Sequence, residues 1–130
     1  MATATKTVTT VVASAANTSG STTRGTVDLR TALGGIVTFK ITNGGTGPTT
    51  QATGAVLVAH NTGATPTAGS EGVDWKTALG PFGGGTVASA VTPFSYTFGP
   101  EIMHLEVEFT GNTGQSVTVE AFVSVFASIA

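Results

Sequence analysis

The stretch Ile102-Met-His-Leu-Glu-Val-Glu-Phe109 alternates apolar and polar side chains from one residue to the next. Alternation with a period of two predicts a β-strand that has one face in a hydrophobic core and the other against water or a partner. The predicted core face carries Met103, Leu105, Val107 and Phe109, and the polar face carries His104, Glu106 and Glu108. The strand pattern of this segment sets the fold class for the rest of the chain.

The segment that follows has the same period. Val117, Val119, Ala121, Val123 and Val125 fall on one face of a second strand. The intervening residues 110–115 contain two glycines and an asparagine, which accept the backbone angles of tight turns. We therefore expect the two strands to pair as a hairpin.

Six further segments carry a strand signal, and helical periodicity is almost absent. The predicted strands are residues 7–13, 26–30, 37–41, 55–59, 86–91 and 94–98. Residues 61–72 and 79–86 are predicted to be long loops, and residues 71–79 a helical turn or an irregular connection. About eight strands in 130 residues predict one antiparallel β-sandwich domain over residues 1–130, with residues 1–6 as an extended N-terminal arm. A jelly roll is favoured over an immunoglobulin-like sandwich because the chain has no cysteine pair.

Charged residues are scarce. They make up 9% of the chain, against roughly 25% in ordinary soluble domains, and residues 41–70 contain no Asp, Glu, Lys or Arg. A β-protein with so few charges to keep its copies apart is expected to be covered by neighbouring subunits. The five Lys and Arg residues are scattered singly, which argues against direct binding of nucleic acid. No apolar run is long enough to predict a membrane span.

No pattern in the sequence predicts chemistry. His104, Glu106 and Glu108 share a strand face, but their spacing of about 7 Å lets a metal ion touch only adjacent members, and His60 is the only other histidine. Two glutamates on one strand more often solvate it than hydrolyse a glycoside. The chain has no Cys and no G-x-S-x-G motif. We therefore expect no catalytic, metal or cofactor site, and a protein that is not an enzyme.

Candidate contact residues come from two regions. Trp75 and Phe82 lie in the least regular part of the chain, where they can anchor a subunit contact, stack on a sugar, or, in the case of Trp75, cap one end of the core. Thr7, Thr9 and Val11 lie on a predicted edge strand that lacks Lys or Glu guards. We predict that these five residues contact another copy of the chain or a different subunit of an assembly.

The run from Leu105 to Ala121, together with the Thr-rich start over residues 1–10, resembles small virion proteins of tailed bacteriophages, of the capsid decoration or cement type. The resemblance implies a protein made in the host bacterial cytoplasm that binds the major capsid protein and copies of itself, as a dimer or trimer, on the exterior of the head. It implies no contact with nucleic acid or membrane. Two alternatives are a phage tail or fibre protein and a carbohydrate-binding β-sandwich module that uses Trp75, Tyr96 and the Gly/Asn/Thr loops.

Overall fold

A computed structural model describes the backbone of residues 3–129 and the side chains of residues 3–128. This part of the chain is all-β, as predicted, and contains no helix that could cross a membrane. Its eight strands are β1 (Ala4–Asn17), β2 (Thr23–Asp28), β3 (Gly35–Asn43), β4 (Thr53–Ala59), β5 (Lys76–Gly83), β6 (Val91–Phe98), β7 (His104–Thr110) and β8 (Val117–Ile129). Ala4 to Lys6 already belong to β1, while residues 1 and 2 of the predicted N-terminal arm lie outside the described residues.

The strands form two antiparallel four-stranded sheets that pack face to face. Sheet I has the order β1-β8-β3-β6, and sheet II has the order β2-β7-β4-β5. The pairs β1–β8, β2–β7, β3–β6 and β4–β5 are nested, as in one long hairpin that has been rolled up. Nested pairing across two sheets is the jelly-roll topology, so the preference over an immunoglobulin-like order is confirmed.

The core lies between the two sheets and follows the period-two pattern of the sequence. Sheet I contributes the inward residues of β3 and β8, and sheet II those of β4 and β7. Fully buried members of this core include Val37, Phe39, Ile41, Val56, Leu105, Val107, Phe109, Val119, Ala121 and Val123. The Phe39 and Phe109 rings meet edge to face with their centroids 5.6 Å apart, a favoured aromatic geometry. The predicted inward faces of β3, β7 and β8 are therefore the observed ones, although Met103 lies just before β7 begins.

The predicted hairpin between β7 and β8 is wrong. β7 pairs with β2 and β4 in sheet II, whereas β8 pairs with β1 and β3 in sheet I. Residues 111–116 carry the chain from one sheet to the other. Every connection except the one between β4 and β5 crosses from one sheet to the other in this way.

One strand was placed incorrectly by the sequence pattern. β5 occupies residues 76–83, most of which were predicted as loop, and residues 84–90 are irregular although 86–91 were predicted as a strand. Before β5, residues 71–75 form an irregular turn in which the amides of Val73, Asp74 and Trp75 all donate to the carbonyl of Ser70. β5 and β4 are held together by ladder pairing with two register shifts, near Gly54 and Val56.

Candidate subunit-contact surface

The outer face of sheet II is covered by the chain itself. Residues 60–75, the cover segment, connect β4 to β5 and lie over this face. His104 of β7 fixes the start of the segment: Nε2 is 3.1 Å from the carbonyl oxygen of Asn61 and 3.2 Å from that of Gly63, and Nδ1 is 3.1 Å from the hydroxyl of Thr65. The prediction that His104 faces water or a partner is therefore wrong, since it is fully buried.

Trp75 anchors the far end of the cover segment. Its ring packs on the outward side chains of β4, Ala55, Leu57 and Ala59, and forms a small second core with them. Its indole N–H donates to the carbonyl of Thr67 at 2.9 Å. Only 1% of Trp75 is exposed, so it is not placed to stack on a sugar or to anchor a subunit contact, and it does not cap the main core.

Glu106 lies beneath the middle of the cover segment and is 0% exposed. Its Oε1 accepts a hydrogen bond from the amide of Gly69 at 3.1 Å and lies 3.4 Å from Nε of Arg24, while Oε2 has no hydrogen-bond partner. Burial raises the pKa of Glu106 to about 7, against the opposing effects of the Gly69 amide and the Arg24 charge. The predicted polar face of this strand is thus buried. Burial there favours the uncharged form of the Glu106 carboxyl.

Glu108 completes this buried polar cluster. Burial is the main cause that raises the pKa of Glu108, and the neighbouring Glu71 raises it further. Arg24, whose Nε lies 3.1 Å from Oε2 of Glu108, lowers it. The guanidinium of Arg24 therefore lies against both strand glutamates. In residues 3–129, no three His, Asp or Glu side chains come together in a way that could hold a metal ion.

The outer face of sheet I has no cover within the described chain. In the cross-strand register, Ser124 of β8 lies between Val8 of β1 and Ile36 of β3, so these three side chains point to the outer face. Phe122 is two residues before Ser124 on β8 and therefore points to the same face. Six large apolar side chains are exposed on this face and its rim. Val91 lies apart from the others, on β6 opposite Thr42. The other five we call the outer-face patch: Val8, Leu33, Ile36, Phe122 and Phe126. Between them lies a groove of about 440 Å³, lined in part by Leu33, Ile36 and Phe126.

The few charged side chains described on this face form an ion pair or a cation–π contact. Nζ of Lys40 lies 2.7 Å from a carboxylate oxygen of Glu120 on the neighbouring strand. Nζ of Lys6 lies 5.4 Å from the centroid of the Phe126 ring, within the range of a cation–π contact. An apolar patch of this kind, with so little charge around it, is typical of an interaction surface.

The predicted contact residues lie at two opposite edges of the sandwich. Phe82 is 37% exposed and stacks on Phe94 with centroids 4.8 Å apart, where β5 and β6 meet. Thr7 and Thr9 are exposed at the other edge, where they line a shallow cavity of about 210 Å³ between β1 and the end of β2. Val11 is half-buried against the main core. The structure does not bring Phe82 together with the β1 residues.

Sequence reasoning missed the outer-face patch. Phe122 and Phe126 are out of phase with the inward residues of β8, so two aromatic side chains at outward positions of a predicted strand were the available signal. Val8 carried the same signal on β1. Leu33 precedes β3 and gave no such sequence signal. Its position beside β8 is set by the turn before β3, where its amide donates to the carbonyl of Phe126.

Comparison with known proteins supports the fold and does not assign a family. No family model matches the chain, and no curated protein matches it. A chain in the structure of the infectious bursal disease virus Gx strain aligns with a TM-score of 0.53 and 14% identity over 94% of this chain and 32% of its own length. A chain of the T13 viral particle of the same virus gives 0.55 and 13%, over 94% of this chain and 30% of its own.

A bacterial protein shares the fold as well. The K3 cleaved adhesin domain of Lys-gingipain from Porphyromonas gingivalis aligns with a TM-score of 0.52 and 10% identity, over 85% of this chain and 72% of its own length. This chain spans about a third of the viral chains that it matches. At these identities the likeness establishes a common β-sandwich fold.

Proposed function

We propose that this protein is a non-enzymatic structural protein of a tailed-phage virion, which binds the outer surface of the head and stabilises the shell. The observation that carries the proposal is the outer-face patch of sheet I. Sheet II is sealed by the cover segment, whereas Phe122 and Phe126 are both 39% exposed on the bare face of sheet I. Covering these rings removes apolar area from water and stabilises the bound state.

Because the patch contains no charged side chain, it is better suited to many moderate contacts on a lattice of identical subunits than to one high-affinity contact with a single partner. Exposed ion pairs contribute little, and Lys40 and Glu120 are already paired with each other. Binding would therefore depend on apolar contact of moderate area. On a lattice, where each copy also lies beside other copies, contacts of moderate strength reinforce one another. The likeness in fold to chains of a viral particle supports a viral structural protein. The resemblance of residues 105–121 to phage decoration proteins favours the surface of the head.

The experiment is addition of the purified protein to expanded capsids that lack it. We expect saturable, stoichiometric binding and shells that resist heat better than undecorated ones. The informative pair of variants is Phe122→Ser and Phe82→Ser, since the two rings are similarly exposed, at 39% and 37%, but lie on different surfaces. Loss of binding in the first alone places the contact on the outer-face patch, and loss in the second alone places it at the β5–β6 edge.

Absence of saturable binding to any shell would overturn the proposal. A second candidate is a tail or fibre protein that contacts a host surface, and the similarity to an adhesin domain over 72% of its length favours it. Localisation in a density map of the particle separates the two. Density at every equivalent lattice position of the head supports decoration, and density restricted to the tail supports the alternative.

A further inference from the structure

The two sheets expose four edge strands, and three of them are blocked or interrupted. β6 contains Pro93, which cannot donate a backbone hydrogen bond. β5 is interrupted by the Gly80–Pro81 pair and by two register shifts against β4. β2 is short and is held against β1, so closely that a Cβ on Gly25 would overlap the carbonyl oxygen of Val11. Proline, bulges and covered backbone are the usual protections of sheet edges.

Within the N-terminal half of β1, the run Lys6–Thr10 contains no proline, bulge or covering segment. Residues 4–10 are all exposed and contain no proline, and Lys6 is their single charge. The run Lys6–Thr10 pairs with β8 without a register shift, while shifts occur immediately on either side of it. Among the described residues, backbone hydrogen bonds outside the strand ladders involve none of residues 4–10. Their outward N–H and C=O groups are therefore free to pair with another strand.

We propose that this edge pairs with the same edge of a second copy, in antiparallel orientation, to form a two-fold dimer. The proposal deepens the proposed function, because it names the contact between copies. A two-fold axis through Val8 uses the whole regular run and places Val8 opposite Val8 and Thr7 opposite Thr9 of the second copy. Pairs of β-branched residues at facing positions stabilise a sheet. Lys6 then lies opposite Thr10, so no like charges face each other.

Such a dimer has a consequence for the outer-face patch. A two-fold axis perpendicular to the sheet joins the two copies of sheet I into one eight-stranded sheet, with strand order β6-β3-β8-β1 repeated in reverse. Val8 and Phe126 of both copies then lie on the same side of the joined sheet. The two patches become one broad, mostly apolar surface that faces a single direction.

The first test compares Val8→Lys with Val91→Lys in sedimentation equilibrium over a concentration series. Val8 is 71% exposed on the free edge, and Val91 is 56% exposed on the opposite edge of the same sheet, so neither change disturbs the core. The lysine at position 8 faces its own copy across the axis, and we expect the dimer to dissociate about tenfold more readily. Val91→Lys should dimerise like the parent, and circular dichroism should show both variants folded.

The second test uses cysteine cross-linking, which is clean because the chain has no cysteine of its own. Val8→Cys should form a disulfide-linked dimer on mild oxidation, since facing residues of antiparallel strands lie within disulfide range. Thr7→Cys mixed with Thr9→Cys should give the heterodimer. Val91→Cys, at the opposite edge, is the control and should stay unlinked.

A parent protein that stays monomeric at high concentration overturns the proposal, as does cross-linking no greater at position 8 than at position 91. A monomer that binds shells and loses that binding on Val8→Lys also overturns it, because Val8 would then contact the capsid subunit and not a second copy. The two proposals fail separately. A dimer through β1 that binds no shell contradicts the decoration role alone, and a monomer that decorates shells contradicts the dimer alone.

Discussion

Replacement of Glu106 by glutamine should stabilise the fold at alkaline pH and have little effect near pH 4.5. The glutamate is fully buried beneath the cover segment, and its pKa is raised from 4.5 to about 7, mainly by burial. The folded state therefore favours the protonated carboxyl. Its contribution to stability is fully present below about pH 4.5 and is lost as the pH rises through about 7.

The size of the effect follows from that shift. A pKa raised from 4.5 to about 7 corresponds to about 3–4 kcal/mol, since a tenfold change in a proton-binding constant is worth about 1.4 kcal/mol. Arg24 is partly exposed, so water reduces the cost of the charged form, and we expect about 2–3 kcal/mol. Glutamine keeps the shape of the side chain, and its oxygen can still accept the Gly69 amide. Arg24 keeps Glu108 as a partner at 3.1 Å.

The assay is urea unfolding of the wild type and Glu106→Gln at several values between about pH 4.5 and pH 8.5. The free energy of unfolding of the variant should exceed that of the wild type by an amount that grows with pH. Asp28, whose pKa Arg30 lowers to about 2, titrates below this window. Glu101→Gln, at an exposed site before β7, is the control and should follow the wild type. Parallel curves for Glu106→Gln and the wild type would refute the reasoning.

Further predictions concern the cover segment and the contact between β1 and β2. Trp75→Ala should lower the free energy of unfolding by about 3–5 kcal/mol, as for other buried tryptophans. Limited proteolysis of this variant should cleave first within the cover segment. Protease resistance equal to that of the wild type would contradict the anchoring role of Trp75. Gly25→Ala should prevent stable folding or lower the melting temperature steeply, because the new methyl group overlaps the carbonyl of Val11. Gly45→Ala is the matched control, since a Cβ there meets open space, and its melting temperature should stay close to that of the wild type.

The inward faces of the strands were predictable because the period-two pattern is imposed by burial at each position. Val37 and Phe39 in β3, and Val119 and Val123 in β8, are fully buried where the alternation placed them. The location of β5 was not predictable, because Gly80–Pro81 is typical of a turn and here interrupts an edge strand whose backbone pairs on one side only.

Which strands pair, and whether an outer face is buried, depends on residues that are distant in the sequence, so local patterns did not predict either. A turn-rich segment after β7 predicted a local hairpin, yet the same residues cross between the sheets. The sequence pattern assigned His104 and Glu106 to a polar solvent face because the cover-segment residues that contact them, including Thr65 and Gly69, lie 39 and 37 positions earlier. The outer-face patch was visible only as aromatic residues at positions that alternation assigned to solvent.

The nested pairing of the strands implies an order of assembly. β4 and β5 are separated by residues 60–75, whereas β1 and β8 pair from Ala4 to Ile129 and so enclose almost the whole polypeptide. The entropy lost on closing a loop increases with its length, which favours zipping from the innermost pair outward. We expect refolding on the millisecond-to-second scale of non-local β topologies, with β1 the last strand to dock and the first to fray.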